Sequence, residues 1–424
     1  MYKKKVLEDK LEVVISPMPH MESIAISVWI GLGGRYEEAN YNGISHFIEH
    51  MLFKGTEERS ASQLKQAIEG IGGHFNGFTA EEVTCYLIKI PAKHYKLGME
   101  VLSDMVLNPK LDEFEIEKEK EVICEEIKMY KDLPSSYVSE ILVSIMWPDH
   151  PLGKSLTGDV ETVRAMNRSI ILRNKERYYK PANMAIIAAG KINEDKFVNS
   201  AMKCFNGKDW ENNKKLSYKD FKLTQKEKKV KLLFKDIEQT HIAFGFHAMG
   251  RNDKDKYALN ILNIIAGGNM SSRLFEELRE KKALCYDISS SLKKLEETGA
   301  FFIHAGIDNS KVTVALSSIV KELNRLKKET VPKEELKRAK EYYKGQLLLA
   351  LEDTGSRMLW LGDKLMTKEG IPTIGSILKS IEKVKPEDVL KVADKVFRND
   401  ILNFSAIGPE ASLKEDDVNK LLEV

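Results

Sequence analysis

NGISHFIEHMLFKG, residues 42–55, contains the one arrangement in this chain that asks for a particular chemistry: His46, Glu49 and His50. At helical spacing His46 and His50 stand four apart on one face, so two imidazoles can reach a single ion while Glu49 stands beside them. Phe47, Ile48, Met51 and Leu52 supply the apolar stripe of a helix that Asn42 is placed to cap and Gly55 to end. A single His on an amphipathic helix is ordinarily a hydrogen-bonded core residue. The spaced pair with an intervening Glu points instead to a zinc site.

The rest of the chain provides the setting for that helix. At 424 residues and 42% hydrophobic, it has the material for two or three cores but no apolar run of eighteen residues. The start, MYKKKVLEDKLEVV, lacks the apolar stretch of a signal peptide, so the expected location is the cytoplasm. Cys85, Cys124, Cys204 and Cys285 are scattered without C-x-x-C spacing, as free thiols would be. Sixty-six basic against 64 acidic residues leave a net charge of +2, which gives no general attraction to nucleic acid or to a membrane surface.

Residues 11–15 and 24–30 read as strands, the second alternating Ile24, Ile26, Val28 and Ile30 before Gly31, Gly33 and Gly34. Ser60 caps a helix to Glu69, and strands at 74–78 and 83–90 follow. Pro91 is read as opening a helix to about Leu107, and 112–130 as a long acidic helix. Further helices lead to a strand at 184–189 and a last helix near Phe205. Between 206 and 229 periodicity lapses and Lys dominates, as in a connection between domains. The pattern then restarts: 241–246 resembles 24–30, 301–306 resembles 85–90, and 402–408 resembles 184–190, each about 216 to 218 positions later. The expected fold is therefore α/β (α+β): two similar domains from a duplication, each a mainly antiparallel or mixed sheet carrying helices, divided as 1–215 and 216–424. The duplicate of the His helix, near 253–266, has no His.

A catalytic zinc takes three protein ligands and keeps a position open, so His46 and His50 need a third. The acidic helix EIEKEKEVICEEIKMY offers Glu119 and Glu126, seven apart on one face and bordering Val122, Ile123 and Ile127. Spacing alone does not separate Glu126 from Glu119 or Glu125.

At these residues the sequence resembles, over essentially its whole length, the inverted-zincin family of pitrilysin, insulinase and mitochondrial processing peptidase. That family's signature is H-x-x-E-H followed by a Glu about seventy-six residues on; here His50 to Glu126 is 76. WIGLGGRYE, EHMLFKGT, GGHFNGFTAEEVTCY and HPLGKSLTG are similar to the family's flanking text. The resemblance implies one zinc per chain on His46, His50 and Glu126, supported by Glu119. It also implies hydrolysis of peptide bonds in unfolded peptides or small proteins by a zinc-activated water, with Glu49 as general base.

GGNMSSRLFEELREKKALCY looks like the segment that gives the family an Arg and a Tyr, here Arg279 and Tyr286, to stabilise the oxyanion. Substrate is expected to lie extended along Phe75, Asn76 and Phe78. The short chain resembles members that form a homodimer or pair with an inactive paralogue. Gly77 departs from the family's commoner Ala or Ser, which bears on the pocket beside it. The rival expectation is a non-catalytic scaffold or regulatory subunit, a class whose members generally lose zinc ligands.

Overall fold

The computed structural model describes residues 2–205 and 217–424, which form two compact units. The first unit is built on a six-stranded sheet of order β1-β2-β6-β3-β5-β4, comprising β1 (Lys3–Val6), β2 (Glu12–Pro17), β3 (Ser23–Ile30), β4 (His74–Thr79), β5 (Thr84–Pro91) and β6 (Met184–Gly190). Only β2 and β6 run parallel; the remaining pairs are antiparallel. Its helices are α1 (Ile44–Leu52), α2 (Ala61–Glu69), α3 (Tyr95–Leu107), the acidic α4 (Glu113–Asp132), and, beyond α5 (Pro134–Met146), α6 (Val160–Ala165), α7 (Arg168–Tyr178) and α8 (Glu194–Phe205).

The second unit has a five-stranded sheet of order β7-β11-β8-β10-β9, from β7 (Lys229–Phe234), β8 (Gln239–Met249), β9 (Cys285–Lys294), β10 (Thr298–Asp308) and β11 (Leu402–Gly408). Its one parallel pair, β7 with β11, sits where β2 and β6 sit in the first sheet. Leaving β1 aside, the two sheets share one strand order, which is what the repeated landmarks in the sequence require. Both are mixed α/β layers, as expected.

The units do not follow a single cut near residue 215, a position that itself lies outside the described residues. Residues Met129–Gly153, with α5, belong to the second unit, and Leu348–Ile371 to the first. The latter segment contains α12 (Thr354–Met366), which follows α9 (Lys256–Ala266), α10 (Val312–Lys328) and α11 (Lys333–Ala350) in the chain. Each sheet therefore has one face covered by a helix from the other half of the sequence.

The alternation of β3 accounts for this arrangement. Ile24, Ile26, Val28 and Ile30 point into the core formed with α1 and α3, while Ala25 and Trp29 point the other way and are equally buried. Met358 and Leu361 of α12 cover that second face. Gly362 makes the approach possible, since a Cβ there would fall 2.1 Å from Trp29 Cε2. In the second unit α5 does the same, packing Val138, Leu142 and Met146 on Ala243, Ala300 and Ile407. Both faces of the central strands are thus buried, consistent with the near-continuous apolar character of β3 and β6.

Local readings differ at Pro91 and at Val122. Pro91 ends β5 rather than opening α3, which starts at Tyr95 after a short turn, so its fixed φ serves a strand end. Val122, grouped with Ile123 and Ile127 as the apolar residues that Glu119 and Glu126 border, is 44% exposed, because the buried side of α4 includes Ile116, Glu119, Ile123 and Ile127.

Candidate metal centre

The segment before α1 sets its position. Gly33 approaches the turn between β4 and β5 so closely that a Cβ would lie 2.0 Å from the Ala80 carbonyl oxygen. Gly34 and Arg35 donate their N–H groups to Ala80 and Glu81 of that turn, and the buried Arg35 guanidinium pairs with Glu82 at 2.5 Å. Glu37 is thereby brought under the first turn of the helix.

Asn42, expected as the cap, is not the cap. Gly43 holds that position with φ +88°, and its missing Cβ leaves room for the Gly158 backbone. The capping acceptor is the Glu37 carboxylate, taking hydrogen bonds from Gly43 N–H at 2.7 Å and Ser45 N–H at 2.8 Å. Asn42 donates instead to Glu37 and to the Ser155 carbonyl. A negative group at a helix N-terminus six residues upstream in sequence is not a pattern that local capping rules find.

Replacing Glu37 by Ala removes this acceptor and should cost about 1–2 kcal/mol at the helix start. Hydrogen exchange at the Gly43 and Ser45 amides should then quicken by roughly five- to thirtyfold.

On the face so positioned, His46 Nε2 and His50 Nε2 each lie 3.7 Å from Glu126 Oε2. The ligand atoms of these three residues all fall within 4.8 Å of one another, the only such group among the described residues. Zinc bonds of about 2.0–2.2 Å in a tetrahedron would place ligand atoms roughly 3.3–3.6 Å apart, so small rotations of two rings and a carboxylate would close the shell. Burial, with the neighbouring His50, lowers His46 to a pKa of about 4, leaving it neutral and ready to donate a lone pair at pH 7. Its buried Nδ1 has no hydrogen-bond partner among the described residues. The donor set, two imidazoles and one carboxylate, is one that zinc accepts.

Glu119, 2% exposed, sets the tautomer of the second His: its Oε1 lies 2.8 Å from His50 Nδ1, which leaves Nε2 turned to Glu126. Burial alone would lower the His50 pKa. The hydrogen bond that His50 donates to Glu119 and the charges of Glu119, Glu126 and Glu49 raise it instead. Burial works to raise Glu119, and its bonds to His50 and Lys54 outweigh that and bring it down. Glu125, the third carboxylate the sequence left open, is exposed and pairs with Lys128 at 2.6 Å.

Glu49 stands on α1 outside the three-residue group. Its Oε2 accepts from the Thr79 hydroxyl at 2.9 Å, and a Cβ on Gly77 would lie 3.0 Å from its Oε1. Gly77 therefore leaves space at the free carboxylate oxygen. Thr79 was not anticipated from sequence; it lies on β4 at the same alternation as Phe75 and Gly77, the side that faces α1.

β4 is the edge of its sheet. Ala80 N–H donates to the Val83 carbonyl, and in that register Phe75, Gly77 and Thr79 turn their main-chain groups outward. Phe75 packs on Phe53 at 5.3 Å between ring centroids and Phe78 edge-on to Trp29 at 5.6 Å, so both side chains are engaged within the unit. Asn76 is exposed, its Oδ1 accepting from Gly77 N–H at 2.9 Å. Arg279 and Tyr286 belong to the second unit and meet one another. Arg279 lies on a π-helical turn, Phe275–Lys281, with its guanidinium 4.7 Å from the ring centres of both Phe275 and Tyr286. Tyr286 is 76% exposed at the start of β9.

Two mixed sheets of one strand order, the first carrying two His and a Glu whose ligand atoms are gathered together, define a duplicated α/β protein whose halves differ in chemistry. Residues 12–160 match the family described as Insulinase (Peptidase family M16), and residues 165–343 match the family described as Peptidase M16 inactive domain. An uncharacterized zinc protease of Bacillus subtilis, YmxG, is 34% identical over 94% of this chain and 97% of its own length. One from Streptomyces coelicolor is 32% identical over 99% of this chain and 91% of its own. Among solved structures, a protease from Helicobacter pylori superposes with a TM-score of 0.92 at 23% identity, covering 96% of this chain and 99% of that one. The chain belongs to peptidase family M16, the insulinase family. No described helix is long and apolar enough to cross a membrane.

Proposed function

We propose that this protein is a zinc metalloendopeptidase acting on unfolded peptides or small proteins, with one zinc per chain held by His46, His50 and Glu126. The observation that carries the reading is the gathering of those three ligand atoms beside a carboxylate, Glu49, that is held in place without being one of them. At such a centre zinc would supply a Lewis acid that polarises a carbonyl and lowers the pKa of bound water towards about 7.

The chain's own groups do the rest. Thr79 fixes one oxygen of Glu49, and the other accepts the proton of the attacking water as its oxygen bonds to the peptide carbon. Glu49 then gives that proton to the amine nitrogen as the C–N bond breaks. The outward main-chain groups of Phe75, Gly77 and Thr79 suit an extended peptide adding to the sheet edge, with Asn76 bonding to it. Tyr286 and Arg279 are assigned to the developing oxyanion on the family resemblance, supported by their stacking on each other. A cytoplasmic homodimer, or a pair with an inactive paralogue, completes the proposal. The scaffold reading is opposed by a complete donor set.

The test is metal analysis together with digestion of a denatured peptide library read by mass spectrometry. About one zinc per chain is expected, with cleavage abolished by a chelator and restored by zinc. Full zinc occupancy without any cleavage would favour the scaffold.

A further inference from the structure

We infer that Lys54 is a positioning residue of the metal centre, acting through Glu119 on His50; the inference rests on the reading of His46, His50 and Glu126 as zinc ligands. His46, His50 and Lys54 follow one another at four-residue spacing. The Lys54 N–H still donates to the Met51 carbonyl at 3.1 Å, so the turn that carries Lys54 continues the helical path past Leu52. The side chain therefore reaches the same flank of α4 that the imidazoles face.

There Lys54 Nζ pairs with Glu119 Oε2, while Glu119 Oε1 holds His50 Nδ1. The carboxylate is 2% exposed and divides its two oxygens between one ammonium and one imidazole. Among the described residues Lys54 is the one cation paired with Oε2, so that ion pair is what holds this oxygen. An exposed pair of this kind would matter little. A buried carboxylate stripped of its counter-charge behaves differently, because the group must leave its place or lose its charge. Either response loosens the Oε1 contact that fixes the His50 tautomer and aims Nε2 at Glu126. Lys54 thus sets metal affinity from a position that touches neither metal nor substrate.

The test uses the full chain and two readouts. One is the zinc dissociation constant by competition with a chromophoric chelator. The other is the ¹⁵N shifts of the His50 ring in zinc-free protein, which report its tautomer without metal. Lys54→Met is expected to weaken zinc binding about 10- to 100-fold and to reduce the Nδ1–H tautomer. Lys54→Arg should restore both to within about threefold of wild type. Lys54→Gln, a smaller packing change, should reproduce the loss if Lys54→Met fails to fold.

In a Glu119→Gln background, Lys54→Met should change affinity by less than about threefold, since its route is gone. Unchanged zinc affinity and tautomer in Lys54→Met, or an equal loss in both backgrounds, would overturn the inference. A wild-type protein that binds no zinc would sink the metal reading itself, and the tautomer measurement would still decide whether Lys54 acts through Glu119 on His50.

Discussion

Purified Glu49→Gln protein should bind zinc as the wild type does and turn over peptide about 10²- to 10⁴-fold more slowly. Gln keeps the shape of the side chain and an oxygen able to accept from the Thr79 hydroxyl, which now lies 2.9 Å from Glu49 Oε2. What it loses is the capacity to take a proton. Because Glu49 lies outside the three-residue donor group, its neutral replacement leaves the ligand count intact. Burial, opposed by the Thr79 bond and the His50 charge and reinforced by Glu126, holds the Glu49 carboxyl above its ordinary value. A bound cation would act in the opposite direction, and a carboxylate set between those influences is suited to shuttling a proton near neutral pH. Steady-state kinetics paired with metal analysis on one preparation decides the matter. A parallel loss of zinc would make Glu49 a ligand.

That prediction draws on a feature legible in the sequence, and its legibility has a physical reason. Helical spacing alone puts His46 and His50 on one side, and the glycines around α1 mark close approaches that only Gly permits, such as Gly43 against Gly158. Strands were readable because β3 alternates and β6 is flanked by turn residues; the duplication was readable because strand order survives divergence better than identity.

The contributions of Glu37 and Lys54 were not visible in that way. Glu37 acts from six and eight residues before the amides it bonds, across a turn whose path depends on the contact of Gly33 with Ala80. In sequence Lys54 looks like any other Lys of this 31% charged chain, and its pairing with a buried carboxylate shows only in three dimensions. The exchange of α5 and α12 between halves was equally hidden: an amphipathic pattern says that a helix covers something, not which sheet it covers. For the same reason Phe78 could be placed on the edge strand while its packing partner, Trp29, could not.

The choice among the carboxylates of α4 is the other point that sequence left to the three-dimensional arrangement, and it yields the second large effect. Glu126→Gln should lower zinc affinity well beyond the roughly 10- to 100-fold expected of Glu119→Gln. Glu126 Oε2 stands 3.7 Å from both imidazole Nε2 atoms, where it would contribute a bond and a negative charge directly to the ion. Glu119 touches only the far nitrogen of His50, so it would act on the metal by orienting one ligand and making it more basic.

The carboxylates also differ in what a Gln would leave behind. At Glu119 an amide oxygen can still accept from His50 Nδ1–H, though more weakly than a carboxylate, and the Lys54 ammonium then loses its charged partner. At Glu126 burial already holds the carboxyl above its ordinary value, with His50 opposing and Glu119 reinforcing the rise, and a cation beside it would favour the charged form. Removing that charge removes the larger share of the attraction. Competition titrations on both variants give the comparison directly. If Glu119→Gln proves the more damaging, the two carboxylates exchange roles and the ligand set becomes His46, His50 and Glu119.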